Sequence, residues 1–189
     1  MYAINRIVML DIQQAQQILH TAELIHSEQT VNEAVRRLAV EITSVLAYRN
    51  PLVLCVMSGA VVFAGQLLPQ LCFPLDFDYV HLTRYGNDLS GGEICWRVEP
   101  QEGLQGRVVL VLDDILDEGV TLAAIRDSVL RNGAGAFYSA VLAEKCIGKS
   151  KACAADFVGL PVPNRYVFGF GMDVRGAWRN LPAIYALKD

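Results

Sequence analysis

Two kinds of apolar pattern take turns along this chain, and their alternation predicts the fold class. Val31, Ala34, Val35, Leu38, Ile42, Val45 and Leu46 recur at helical spacing. They follow Thr30-Val-Asn-Glu33, which has the capping-box pattern, and predict a helix that covers one face of a sheet. Leu52-Val-Leu-Cys-Val-Met57 is a continuous apolar run and reads as a fully buried strand, followed by a tight turn at Ser58-Gly59 and a helix over Ala60–Leu68. Leu75–His81 alternates at period two, as a half-exposed strand does. Arg84–Gly92 is a loop by its turn residues, and Ile94, Trp96 and Val98 alternate in a further strand. Arg107–Leu112 is again continuously apolar, a central parallel strand, with a helix over Thr121–Asn132 that Gly133 terminates. Ala136–Lys145 predicts the next strand, and Tyr166–Phe170 and Ala183–Leu187 are strand-like segments of the tail. Strands alternating with helices predict an α/β fold with a parallel sheet flanked by helices.

Composition narrows this picture without changing it. The 189 residues are 53% hydrophobic, enough for an ample core, and no repeat or linker divides them. We therefore expect one domain over residues 1–189, its core at about 30–150 and a small hood built from the termini. A net charge of −4 argues against broad binding of nucleic acid or anionic membrane, although a local basic pocket for a small anion remains open. Cys55, Cys72, Cys95, Cys146 and Cys153 are odd in number and form no CxxC pair, which points to a reducing, cytoplasmic compartment. His20, His26 and His81 are too scattered for a zinc pattern. Asn50–Leu75 carries no charge and is long enough to span a bilayer, but its internal Gly and Pro residues favour a strand, turn and helix of a soluble protein.

The chemistry concentrates in Val108-Val-Leu-Val-Leu-Asp-Asp-Ile-Leu-Asp-Glu-Gly-Val-Thr121. A hydrophobic strand ends in two adjacent carboxylates, Asp113 and Asp114. Asp117 follows, and Gly119 and Thr121 open a helix. Ligands of open α/β sheets sit at the carboxyl ends of the strands, where this loop must lie. A loop entering a helix N-terminus presents N–H groups that cradle a phosphate, and carboxylates beside it suit the hydroxyls of a ribose diol. The alternative is a solvated acidic turn with Thr121 as a helix cap.

This pattern resembles the signature of the type I phosphoribosyltransferases, and further matches narrow the resemblance to the hypoxanthine-guanine phosphoribosyltransferases. Met57-Ser-Gly59 is similar to their pyrophosphate-binding turn, and Arg84-Tyr-Gly86 to the start of their mobile active-site loop. Lys145 matches the lysine that recognises the 6-oxo group of the purine. Arg165–Asp173 with Trp178–Pro182 resembles their purine-stacking and C-terminal segments.

The resemblance implies a purine-salvage enzyme that transfers a phosphoribosyl group from phosphoribosyl pyrophosphate to hypoxanthine or guanine. It implies that Asp113 and Asp114 hold the ribose hydroxyls. Asp117, Glu118, Gly119, Val120 and Thr121 would wrap the 5′-phosphate, and Ser58, Gly59 and Arg179 would meet pyrophosphate. Asp117 would exchange a proton with N7 of the base. Tyr166 and Ile115 would sandwich the purine, with Lys145 at its 6-position and the Val167 backbone at its 2-position. Asp173 would border the base and ligate Mg²⁺, with support from Asp113 and Asp114. Arg84, Tyr85 and Gly86 would begin a lid. The implied partners are these small molecules and further copies of the chain in a dimer or tetramer, with no nucleic acid and no membrane.

Departures from the family pattern are visible as well. Ser58 and Val120 stand where many members carry Lys, Glu118 where many carry Thr, and Arg84 where Ser is frequent. A carboxylate at 118 repels a bound phosphate unless its side chain turns outward. For Tyr166 the alternative is core packing, for Arg179 a surface ion pair, and for Lys145 a solvated strand-end lysine. A nucleotide-binding regulator that reuses the fold is the alternative for the chain as a whole.

Overall fold

A computed structural model describes residues 10–85, 93–100 and 103–188. Its centre is a six-stranded sheet ordered β4-β3-β2-β5-β6-β7. The strands are β2 (Leu52–Met57), β3 (Asp76–Tyr85), β4 (Glu93–Val98), β5 (Val108–Leu116), β6 (Ala136–Lys145) and β7 (Phe157–Val162). All neighbours are parallel except β3 and β4, which pair antiparallel at one edge. Val109, Leu110, Val111 and Leu112 of β5 are fully buried, as a central strand covered on both faces requires.

The covering helices are α2 (Glu28–Leu46), α3 (Val61–Leu67) and α4 (Val120–Arg131), preceded by α1 (Ile12–Thr21). Helix α2 starts before the expected capping box. Ser27 is the N-cap and its hydroxyl accepts from Thr30 N. Val31, Ala34, Val35, Leu38, Ile42 and Leu46 are buried as expected, whereas Val45 is exposed. Position 45 falls just off the buried stripe that Ala39 completes. The guanidinium of Arg37 donates to the carbonyls of Val158 and Gly159 and fastens α2 to β7.

Strand β7 has no counterpart in the sequence reading. Gly159 and Pro161 mask it, and the edge of the sheet is where a strand proline is tolerated. A second, antiparallel sheet joins both ends of the chain in the order β1-β9-β8, from β1 (Glu23–His26), β8 (Val167–Phe168) and β9 (Ile184–Ala186). Strand β8 is shorter than the apolar run that suggested it, since Phe170 has a positive φ of 49°. His26 Nε2 donates to Pro161 O at 2.7 Å, and Trp178 Nε1 to Ala15 O at 2.7 Å. These contacts tie the small hood to the main sheet and α1 to the hood. Among the described residues no helix is long and apolar enough to cross a membrane. The uncharged 50–75 segment is instead strand β2, helix α3 and a short 3-10 turn at Leu68–Gln70.

Candidate active site

The carboxyl ends of β2, β3 and β5 and the start of α4 surround a cavity of about 400 Å³. A second cavity of about 200 Å³ adjoins it under the hood. Asp114, Ile115 and Asp117 line both, so the two are lobes of one cleft.

The larger lobe is built on the acidic strand end. Strand β5 runs on past the acid pair to Leu116, two residues beyond the expected strand end, and Asp113 pairs with Val141 of β6. Asp114 N donates to Asp113 Oδ1 at 3.0 Å and Ile115 N to Asp114 Oδ1 at 2.9 Å. Burial pushes the Asp114 carboxyl above the ordinary carboxylate range, opposed by its hydrogen bonds and by the positive charge of Arg179. Cys55 lies beneath this pair. Its thiol is pushed up to about 12, by burial first and then by the charges of Asp113 and Asp114, so it stays protonated and unreactive.

Across the lobe, Ser58 and Gly59 form the turn after β2. A Cβ on Gly59 would stand 2.0 Å from Asp114 Oδ2, so only glycine lets this turn lie against the carboxylate. Gly119, at φ 78°, is the N-cap of α4 and offers no side chain to cap it, which leaves the helix start open towards the lobe. Thr121 lines the lobe from inside the helix, and so is not the cap. Glu118 turns outward to Lys149, Oε1 to Nζ at 2.8 Å, which resolves the expected clash with an anion. Neither Glu118 nor Val120 is among the residues lining the cavity.

The smaller lobe is lined by Ile115, Lys145, Tyr166, Val167, Met172 and Asp173, together with the shared acids. Lys145 Nζ lies 2.6 Å from Asp117 Oδ2, with the lysine side chain 15% exposed and the aspartate 45%. This pair replaces the alternative of a solvated lysine. The Tyr166 ring is half exposed rather than core-packed, and its hydroxyl donates to Asp173 O at 3.1 Å. Burial, then the neighbouring Asp173 charge, raises its phenol above the ordinary value. Arg179 bridges the lobes: its Nη1 donates to Gly171 O at 2.6 Å and its Nη2 pairs with Asp173 Oδ1 at 2.5 Å, while Asp173 Oδ2 accepts from Gly176 N.

Sequence reasoning missed His81, Leu82 and Thr83, which line the larger lobe from the end of β3, and Met172 in the smaller one. Thr83 Oγ1 is buried without a hydrogen-bond partner among the described residues. The available signal was positional, since β3 is a parallel strand and its carboxyl end faces the same crevice as β5. Burial, then Arg97, lowers the His81 imidazole below its ordinary value, so it is neutral near pH 7. Arg84 and Tyr85, the start of the expected loop, instead continue β3, their backbones paired with Ile94 and Glu93. Gly86 and the rest of that expected lid, residues 86–92, lie outside the described residues. All five cysteines are free thiols.

Residues 21–175 match the phosphoribosyl transferase domain family. The hypoxanthine-guanine-xanthine phosphoribosyltransferase of Tritrichomonas foetus is 32% identical over 167 residues, which cover 88% of this chain and 91% of that protein. The bifunctional protein TilS/HprT of Listeria innocua is 36% identical across 88% of this chain, but the match spans only 26% of that longer protein. Among solved structures, a hypoxanthine-guanine-xanthine phosphoribosyltransferase is similar with a TM-score of 0.73 at 32% identity, covering 88% of this chain and 94% of that one. A hypoxanthine-guanine phosphoribosyltransferase from Bacillus anthracis has a TM-score of 0.82 at 26% identity, covering 88% and 98%.

Proposed function

Because the chain belongs to the phosphoribosyltransferase family, we propose that it transfers the 5-phosphoribosyl group of phosphoribosyl pyrophosphate to N9 of hypoxanthine or guanine. The products are IMP or GMP and pyrophosphate, the reaction of purine salvage. One observation carries this reading: the cleft has two lobes of different chemistry joined at Asp114, Ile115 and Asp117. The larger offers paired carboxylates and a helix N-terminus, suited to a ribose phosphate. The smaller is lined by the apolar Ile115, the Tyr166 ring and Lys145, a set suited to a flat 6-oxopurine.

In this reading N9 attacks C1′ and the C1′–O bond to pyrophosphate breaks. Positive charge grows on the ribose ring and negative charge on the leaving group. Asp113 and Asp114 accept from the ribose hydroxyls and fix the ring. The Asp117–Gly119–Thr121 loop and the first turn of α4 bind the 5′-phosphate. Ser58, the Gly59 backbone and Arg179 receive pyrophosphate, and Arg179 neutralises its developing charge. Asp117 takes or gives the proton at N7, and Lys145 donates to the 6-oxo oxygen. The Val167 backbone meets the 2-position.

The residues present also suit Mg²⁺. This ion prefers one or two carboxylates completed by substrate phosphates and water. Asp173 borders the cleft beside Arg179, with Asp113 and Asp114 across it. No cluster of three or more ligating side chains exists among the described residues, so substrate oxygens must complete any shell here. When bound, the ion offsets charge on the pyrophosphate. We further propose that the protein works in the cytoplasm and assembles as a dimer or tetramer; the free thiols and the exposed Phe77 and Tyr79 support this.

The test is pyrophosphate release from phosphoribosyl pyrophosphate with each purine base in turn, with and without Mg²⁺. Release with hypoxanthine or guanine, dependent on Mg²⁺, is expected. Absence of release with every 6-oxopurine would refute the reading.

A further inference from the structure

The loop after β6 holds a lysine that none of these roles uses. The Lys151 side chain is only 12% exposed. Its Nζ donates to two backbone carbonyls, Leu116 O at 2.8 Å and Lys145 O at 2.7 Å, and lies 3.6 Å from Glu144 Oε1. The two carbonyls sit on the last residues of β5 and β6. Leu116 immediately precedes Asp117, and Lys145 carries the other half of the Asp117–Lys145 pair.

The parallel ladder between these strands has Leu116 and Glu144 as its last pair, so Asp117 lies beyond its reach. The residues next to Lys151 reinforce the same junction. Ala152 N donates to Glu118 O at 2.9 Å, and a Cβ on Gly119 would stand 2.6 Å from Cys153 O. Residues 151–153 therefore fasten residues 116–119 from behind the cleft. A nearly buried charge costs free energy unless hydrogen bonds compensate it. Here an ammonium with three donors meets the terminal carbonyl oxygens of two neighbouring strands, and Lys145 O accepts from Ile147 N as well.

We propose that Lys151 is a positioning residue: by tying the ends of β5 and β6 together it sets the separation of Asp117 and Lys145, and so the fit of the base lobe to a 6-oxopurine. This rests on the function proposed above. Without the tie, Asp117 and Lys145 are free to splay, while the Ala152 N to Glu118 O bond and the packing of Cys153 against Gly119, which do not involve the Lys151 side chain, still hold the phosphate-facing start of α4.

Steady-state kinetics of the full chain with hypoxanthine and phosphoribosyl pyrophosphate, alongside thermal melting, test it. Displacing reacting groups by about 1 Å costs up to roughly 10²-fold. Lys151→Met should accordingly raise KM for hypoxanthine by about tenfold and lower kcat by about ten- to a hundredfold. KM for phosphoribosyl pyrophosphate should stay within about twofold. A purely structural lysine predicts a lower melting temperature with both KM values and kcat unchanged in the folded fraction, and that result overturns the proposal. An equal rise in both KM values also overturns it. Lys151→Gln, which keeps an amide donor, carries the test if the methionine variant does not fold: the same split at about threefold is expected, and parent-like kinetics refute it. A parent chain inactive with every purine would instead strike the proposed function.

Discussion

Lys145 Nζ and Asp117 Oδ2 are 2.6 Å apart where the two lobes of the cleft meet. In the proposed function each residue serves a different edge of the purine, the lysine the 6-oxo oxygen and the aspartate N7. Because these edges adjoin on the base, side chains that touch in the free protein can reach both at once.

Asp117→Asn keeps the size of the side chain but removes its basicity. General acid–base groups contribute about 10²–10⁴-fold, so kcat should fall by that order. Binding of phosphoribosyl pyrophosphate, measured by calorimetry, should change little. Near-normal turnover would take Asp117 out of the proton transfer.

Adenine should be a negligible substrate. It presents an amino group where Lys145 has only donors to offer, and sites built to bond one group reject analogues lacking it by about 10⁴–10⁵. Allowing for the partial exposure of the pair, kcat/KM for adenine should be at least roughly 10³-fold below that for hypoxanthine. Lys145→Ala should damage use of both 6-oxopurines far more than binding of phosphoribosyl pyrophosphate. Comparable rates with adenine and hypoxanthine in the parent protein would dismiss the assignment.

Gly59→Ala places a methyl group 2.0 Å from Asp114 Oδ2, a distance that forces the turn or the carboxylate to move. Forced shifts of this kind cost about 1–3 kcal/mol. KM for phosphoribosyl pyrophosphate should rise by roughly tenfold or more, about 1.4 kcal/mol per tenfold, while hypoxanthine affinity changes less. Unchanged kinetics would show that the turn tolerates a side chain.

Asp114→Asn should stabilise the protein while disabling it. The folded-state pKa of Asp114 is raised by burial, so its protonated form is the one the fold favours. Stability from this group is full below the ordinary aspartate pKa of about 3.9 and is lost as pH rises through the folded value. The variant removes that loss. Its melting temperature should exceed the parent's at pH 7, and the gap should close towards pH 4. Equal gaps at both pH values would contradict the assigned cause. Binding of phosphoribosyl pyrophosphate should weaken in the same variant, because one ribose-facing carboxylate is gone.

Legible in the chain's own pattern were the alternating α/β plan, the central β5 run, and the stretch from strand end to helix start that carries Asp113, Asp114, Asp117, Gly119 and Thr121. These are local signals. A strand buried on both faces must be apolar throughout, and an anion-binding helix start needs its glycine within a few residues of the strand end. Edge strand β7 was illegible because Gly159 and Pro161 suit only an edge, and edges are assigned by neighbours in space. What lies across the cleft depends on contacts between residues far apart in the chain. It brings Thr83 and His81 to the larger lobe, Gly59 against Asp114, Lys149 onto Glu118 and Lys151 beneath Leu116 and Lys145. Glu118 shows the difference most directly. Its charge is plain in the sequence, but whether it opposes or tolerates a phosphate depends on which way the side chain turns, and a lysine 31 positions further along the chain sets that.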